Sequence, residues 1–268
     1  MEMKYQIIRV FGDGDEVKGN LSTVVRLKKI MDFDELSKLA HQTYKQYNVA
    51  TTCFINEVDK THYEVQCFND DKAIQCCGHG MMAAAKTVFE NLKIDNIILN
   101  QSVSALNKGS EIELTLPRMF SRECEVPDWA NKIMTFGVGY FSPNQAAITD
   151  KLDGYLLFEF NPNLTLDVFS GLLLDLNTIC ESTNRAVVII QFDEKNRHLF
   201  TRYFAPQYGV KEDSATGSVM RFVADYILKI YDISEYQVSQ CSKEGGLMKI
   251  NCREKDIVIT ANVSVEPS

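Results

Sequence analysis

The sequence predicts an α+β protein built from two similar strand-loop-helix units that frame one cleft, and three observations carry that prediction. Paired β-rich runs around a charged turn occur twice, as Thr51–Val58 with His62–Phe68 and as Ala186–Phe192 with His198–Phe204. Each pair feeds a glycine-bearing loop, Cys77-Gly78-His79-Gly80 in the first and Asp213-Ser214-Ala215-Thr216-Gly217-Ser218 in the second. Each loop then opens a helix, Met81–Glu90 made of strong helix formers and Val219–Lys229 with an apolar pattern. Such a weak internal repeat is either a duplicated unit or the likeness that any two hairpin-loop-helix segments share.

Taken in order, Tyr5–Val10 reads as a strand, Gly12-Asp13-Gly14-Asp15 as a polar turn, and Gly19–Val25 as a loop feeding a second strand. Asp32 with Glu35 forms a capping-box pattern, and Leu36, Leu39, Ala40 and Tyr44 recur at helical spacing to about Tyr47. The first hairpin turns at Asp59-Lys60, and Asn69–Gly80 reads as a loop seated on the N-terminus of the helix from Met81. Strands follow at Ile97–Leu99 and Glu111–Leu116. Pro117 and the polar stretch to Pro127 mark a crossover, which gives a first lobe of 1–120, a second of 121–255, and a closing strand near 256–266 that returns to the first. In the second half the hairpin turns at Asp193–Asn196, and Ala205–Ser218 is read as a loop. Two loops on two helix N-termini around one cavity suit an anion such as a carboxylate.

Composition narrows the classes. Among 268 residues, 45% are hydrophobic and 10% aromatic, enough to build well-packed cores. Lys plus Arg number 28 against 36 Asp plus Glu, a net charge of -8 without the basic patch that a phosphate backbone requires, so nucleic acid is not expected as a partner. No apolar run reaches the ~18 residues of a membrane span. The opening Met1-Glu-Met-Lys-Tyr lacks the pattern of a secretory signal, so the expected location is the cytoplasm. The eight cysteines follow no framework spacing and include no Cys-x-x-Cys pair, which argues for reduced thiols serving mostly as small apolar residues. Adjacent Cys76 and Cys77 project differently and have only His62 and His79 near them in sequence, so no metal site is expected.

The run Arg202-Tyr203-Phe204-Ala205-Pro206-Gln207-Tyr208-Gly209-Val210-Lys211-Glu212-Asp213-Ser214-Ala215-Thr216-Gly217-Ser218 resembles the second signature of the PhzF-like family, the phenazine-biosynthesis isomerase and its relatives. Cys77-Gly78-His79-Gly80 before an Ala-rich helix is similar to the first signature, and Phe11 with Gly19-Asn20 stands where the family has its opening Phe and Gly-Asn-Pro turn, with Leu21 in place of the proline. The resemblance implies a diaminopimelate-epimerase-like α+β fold: two pseudo-symmetric lobes, each a curled, mostly antiparallel sheet around a central helix. It also implies isomerisation of a small carboxylated compound by proton transfer without metal or cofactor, and relatives that are often homodimers.

The resemblance carries site residues with it. Gly78 and His79 fall on the family's Gly-His, whose backbone N–H and imidazole contact the substrate carboxylate; with Gly80 they form the first loop. Histidine titrates near neutrality, so His79 is suited to proton relay, and a brace for the loop is the alternative. Asp213 and Ser218 fall on the family's acidic residue and serine, and Gly217 precedes the serine. Their alternatives are a turn cap for Asp213 and an N-cap for Ser218.

One departure bears on the chemistry. The family's general-base glutamate lies in a segment aligned here with Asn48-Val49-Ala50-Thr51-Thr52-Cys53-Phe54, and its place is held by Thr51. A threonine hydroxyl is no carbon-acid base near neutral pH unless another group activates it. Three expectations remain open. His79 and Asp213 carry the acid-base step, with Gly78, Gly80, Gly217, Ser218 and Thr51 holding the substrate. Cys77 acts as a racemase-like thiol, its pKa lowered by the helix N-terminus, although Thr216 stands where a second thiol would be. Or the chain binds a small acid, or a partner, without turnover.

Overall fold

The computed structural model describes residues 4–14, 16–150 and 154–267, so Met1–Met3 of the opening segment and Asp15 of the first turn lie outside them. The chain divides into one unit of residues up to Pro117 and from Val258 onwards, and a second unit of Arg118–Ile257.

The first unit opens with β1 (Tyr5–Val10) antiparallel to β2 (Asn20–Arg26), Val10 opposite Asn20. Helix α1 (Phe33–Tyr47) carries the capping box read from the sequence: the Asp32 side chain accepts from the Glu35 N–H, and the Glu35 carboxylate accepts from the Asp32 N–H. It ends on Asn48, left-handed at φ 54°. Its inner face sets Leu36 and Ala40 against Val25, Phe54 and Phe68. Strand β3 (Thr51–Glu57) lies parallel to β2 and forms the expected hairpin with β4 (His62–Asn69).

Two corrections follow in the next segment. Residues 69–80 are not one loop: β5 (Lys72–Ile74) pairs back onto β4, and α2 (Gly78–Asn91) begins three residues before Met81. The sequence concealed that start because Gly78 and Gly80 are poor helix formers and Cys77 is no usual cap. Strand β6 (Asn96–Leu99) runs parallel to β4, and β7 (Val103–Lys108), unforeseen in the sequence, joins it to β8 (Glu111–Pro117) in an antiparallel meander.

The second unit contains β9 (Arg122–Cys124), β10 (Met134–Phe136), β11 (Gly139–Tyr140), β12 (Gln145–Ile148), β13 (Tyr155–Glu159), α3 (Leu166–Gly171), β14 (Leu173–Leu174) and α4 (Leu176–Ser182). It continues with β15 (Ala186–Asp193), β16 (His198–Ala205), β17 (Val210–Asp213), α5 (Met220–Tyr231), β18 (Glu235–Gln240) and β19 (Gly246–Cys252). The pairings repeat those of the first unit. Strand β15 is parallel to β13 and antiparallel to β16, a short third strand β17 follows on β16, and after the helix β18 returns parallel to β16. The same order holds for β2, β3, β4, β5, α2 and β6, so the internal repeat is a repeat of strand pairing. Its core gathers Phe158, Phe160, Phe169, Val187 and Ile189. The expected loop from Ala205 to Ser218 instead holds a 3₁₀ turn at Pro206–Tyr208 and β17.

The last strand, β20 (Asp256–Val265), pairs with β1 and β8. In the first unit the order β1-β2-β3-β4-β6-β7-β8-β20 therefore closes on itself. Helix α2 is buried nearly all round, as a helix that fills such a sheet must be, and its Ala83-Ala84-Ala85 run lets the strands approach closely. Among the described residues no helix is long and apolar enough to cross a membrane.

Helix α5 is anchored by a buried carboxylate. Asp225, fully buried, receives the Arg118 guanidinium at 2.6 Å, the Ser121 N–H and hydroxyl at 2.6 Å each, and Lys229 Nζ at 2.9 Å. Burial works to raise its pKa, but the bonds from Ser121, Lys229 and Arg118 outweigh it and hold the carboxyl below its ordinary value. Its contribution to stability is complete above the unfolded aspartate's pKa of about 3.9. That contribution is lost as the pH falls through the lower folded value. Asp225→Asn should cost about 1–3 kcal/mol at neutral pH. Denaturant titrations at pH 7 and pH 3 check this, the difference between variant and wild type shrinking at the lower pH.

Candidate active-site residues in two strand-loop-helix units

In the first unit three chain segments meet at the N-terminus of α2. The turn out of β1 places Phe11 in the left-handed region at φ 68°, its N–H bonded to Asn262 O at 3.1 Å, and Gly19, also left-handed at φ 60°, delivers Asn20 to the start of β2. A side chain on Gly19 would run into the Val10 carbonyl, which explains the glycine. Thr51, the first residue of β3, stands beside Ser22 in the parallel pair. Cys77 is the N-cap of α2, extended at φ -119° and ψ 93°, and Gly78, His79 and Gly80 form the first helical turn. Their N–H groups are those that a helix leaves without intrahelical partners.

His79 is the centre of this group and is half-buried. The Asn20 side-chain nitrogen lies 3.3 Å from its Nδ1, and the Thr51 hydroxyl 3.2 Å from its Nε2. An amide nitrogen can only donate, so Nδ1 accepts, and the neutral ring carries its hydrogen on Nε2 and donates it to Thr51 Oγ1. Cys77 Sγ lies 3.6 Å from Nδ1 and 3.7 Å from Nε2. The bond from Cys67, then the charge of His79 in its protonated form, its hydrogen bond and the Gly80 N–H, overcome burial and hold the Cys77 thiol well below the usual range.

Thr51, Cys77, Gly78, His79 and Gly80 are thus brought together. Asn20 was passed over as a site residue, although its place after a turn-forming glycine was the available signal. Cys53 and Cys67 were read only as core residues, yet their sulfurs meet that of Cys77 around Gly80. A Cβ added to Gly80 would stand 2.5 Å from Cys67 Sγ, 2.7 Å from Cys53 Sγ and 2.9 Å from Cys77 Sγ. Glycine is therefore required at position 80 by close approach. Gly80→Ala should destabilise the protein by about 1–3 kcal/mol through overpacking. A urea titration followed by circular dichroism reads that loss.

In the second unit Asp213 ends β17, and its carboxylate accepts the Thr216 hydroxyl at 2.6 Å. Gln240, at the end of β18 and buried, laces the loop: its amide nitrogen donates to Asp213 O at 2.6 Å and its oxygen accepts the Thr216 N–H at 2.8 Å. The Ser242 hydroxyl donates to Ser214 O at 2.7 Å. The Asp213 carboxylate thus braces its loop through the Thr216 side chain. Ser218 does not cap the helix: α5 starts at Met220 with Val219 as N-cap and no side-chain bond there, because Gly217–Val219 enters as a tight turn whose carbonyls accept from Met220, Arg221 and Phe222. Ser218 is buried within that turn, next to Gly217. A surface concavity of 480 Å³ lined by Pro162, Phe192, Asp193, Glu194, Lys195 and Tyr231 contains none of these residues.

No group of three or more His, Cys, Asp or Glu residues among those described is arranged to hold a metal ion.

Residues 145–265 match the family model described as phenazine biosynthesis-like protein. An uncharacterized isomerase of Vibrio cholerae is 25% identical over 252 residues, covering 92% of this chain and 83% of the relative. The crystal structure of a phenazine biosynthesis protein of the PhzF family from Enterococcus faecalis superposes with a TM-score of 0.80 at 17% identity, covering 100% of this chain and 98% of the other. A hydroxyproline epimerase from Agrobacterium vitis, solved with trans-4-hydroxy-L-proline, gives 0.59 at 8% identity over 99% and 91% of the two chains. The sheet-rich α+β fold is therefore the one shared by PhzF proteins and proline-racemase-like epimerases. Within that class the chain is similar to phenazine biosynthesis-like proteins, through residues 145–265 and through the Vibrio cholerae relative.

Proposed function

We propose that the chain is a PhzF-like isomerase or epimerase that moves a proton on a small carboxylated metabolite, with His79 as the proton-carrying group and Thr51 in the place of the family's glutamate. The observation that carries this reading is the 3.2 Å contact between His79 Nε2 and Thr51 Oγ1. It sets the residue aligned with the missing base against the histidine of the Gly-His signature. In this reading Asn20 fixes the ring so that Nε2–H faces Thr51, and the Thr51 hydroxyl in turn donates to a substrate oxygen. The Gly78 N–H, in the first turn of α2, contacts the carboxylate. In the proton-transfer step the Asn20 amide gives way at Nδ1, that lone pair takes the proton from carbon, and the negative charge favoured on Cys77 stabilises the imidazolium. Asp213, Gly217 and Ser218, on the loop that Gln240 laces, supply further substrate contacts.

A racemase driven by Cys77 is less well supported. The sulfur sits against Cys67, Cys53 and Gly80, and the hydroxyl of Thr216, at the place of a second thiol, is engaged by Asp213. The experiment is incubation of the protein in D₂O with a panel of amino acids and cyclic hydroxy acids, read by NMR. Deuterium entering a carbon next to the carboxylate, and lost in His79→Ala, supports the isomerase. Binding without exchange identifies a silent small-acid binder instead.

A further inference from the structure

Proton transfer to and from His79 makes no use of Cys53 or Cys67, yet these two residues and Cys77 place three sulfurs in one small volume. Cys53 and Cys67 face each other directly across the β3-β4 ladder with their Sγ atoms 3.2 Å apart. The Gly80 Cα hydrogen fills the remaining space, since a Cβ there would lie within 2.9 Å of all three sulfurs. Directly opposed antiparallel residues have Cα atoms about 4.5–5.5 Å apart, inside the span of about 4.4–6.8 Å that disulfides accept. All three are free thiols. Of the three, Cys77 also touches the imidazole of half-buried His79.

We propose that Cys77, Cys67 and Cys53 form a peroxide-reactive thiol relay beneath the first turn of α2, ending in a disulfide between Cys53 and Cys67. The Cys77 thiolate attacks one oxygen of hydrogen peroxide, forming an S–O bond and breaking the O–O bond, and hydroxide departs. The Cys67 sulfur then attacks Cys77 sulfur; the S–O bond breaks, and the leaving hydroxide takes the Cys67 proton away as water. Cys53 gives its proton to the first hydroxide and attacks Cys67, releasing Cys77 as thiolate. In sum two thiols are oxidised to one disulfide, one peroxide is reduced, and two waters form. The ionisation pattern suits this order. The bond from Cys67 and the contact with His79 favour the thiolate of Cys77, whereas bonds to Cys53 and Cys77 together with burial push the Cys67 thiol up. Exposed Cys180 lies outside the cluster and serves as an internal reference for indiscriminate oxidation.

The test treats the reduced full-length protein with hydrogen peroxide, blocks remaining thiols with N-ethylmaleimide after denaturation, and maps the peptides by mass spectrometry. The expected product has lost two hydrogen atoms, carries a Cys53–Cys67 crosslink, retains an alkylatable Cys77 and reverts with dithiothreitol. Cys77→Ala should slow formation of that crosslink ~10-fold, because the thiolate that meets the peroxide is gone. Cys67→Ala should divert Cys77 to the sulfinic acid. A crosslink that forms equally fast in Cys77→Ala overturns the relay, and so does a wild-type protein whose three thiols stay reduced while Cys180 is oxidised. These readouts are masses of thiols, not turnover, so their failure leaves the isomerase reading untouched, and its failure leaves them standing.

Discussion

His79→Asn should reduce deuterium wash-in to the substrate carbon ~10²–10⁴-fold, the range that a positioned acid-base group supplies. That corresponds to a barrier increase of about 3–5 kcal/mol. Asparagine is the informative replacement because its amide still donates towards Thr51 while it can neither take up nor release a proton near neutral pH. The α2 N–H groups and the loop of the second unit are untouched, so affinity for the carboxylate, measured by calorimetry, should change little. A drop in exchange at preserved affinity is the signature of a group acting in the transition state. Equal losses of both would make His79 a brace for the loop, the other role its position allows.

The second large effect is a gain. Thr51→Glu returns a carboxylate to the place from which the PhzF-like resemblance leads one to expect a base, and a glutamate there meets the imidazole that now faces the threonine hydroxyl at 3.2 Å. Thr51 is buried, so an unpaired glutamate would be costly, and pairing with His79 is what makes it tolerable. Wash-in on a substrate of the family's type should rise ~10²-fold or more over the wild-type rate. Thermal unfolding and calorimetry must accompany the rate. If the variant folds and binds but gains nothing, the ungapped alignment of Asn48 to Phe54 with the family's catalytic segment is wrong.

How much of this was visible in the sequence depends on how local the cause was. The Asp32-Glu35 capping box, the hairpin turning at Asp59-Lys60 and the strand Tyr5–Val10 rest on contacts within a few residues, and the structure reproduces them. The start of α2 does not. Gly80 sits in that helical turn because the sulfurs of Cys53, Cys67 and Cys77 leave no room for a Cβ, a tertiary cause that helix propensity cannot express. The facing of Cys53 and Cys67 depends on the register of the hairpin, and a shift of one residue in the turn would have separated them. Asn20 meets His79 through a side chain reached across 59 residues of sequence, with only the preceding glycine to mark it. The stretch 128–183 breaks into short elements, β10 to α4, none long enough to show a period. Ser218 had the right residue type for a cap, but the turn at Gly217–Val219 delays the helix past it.

The most direct measurement is single-turnover deuterium wash-in by the wild-type protein, in D₂O, on whichever small carboxylate it binds most tightly, with every ligand molecule bound. The predicted result is one deuterium appearing at the carbon next to the carboxylate, at a rate that falls with His79→Asn. A carboxylate that stays bound and keeps its hydrogen would contradict proton transfer by His79 and leave the chain a binding protein.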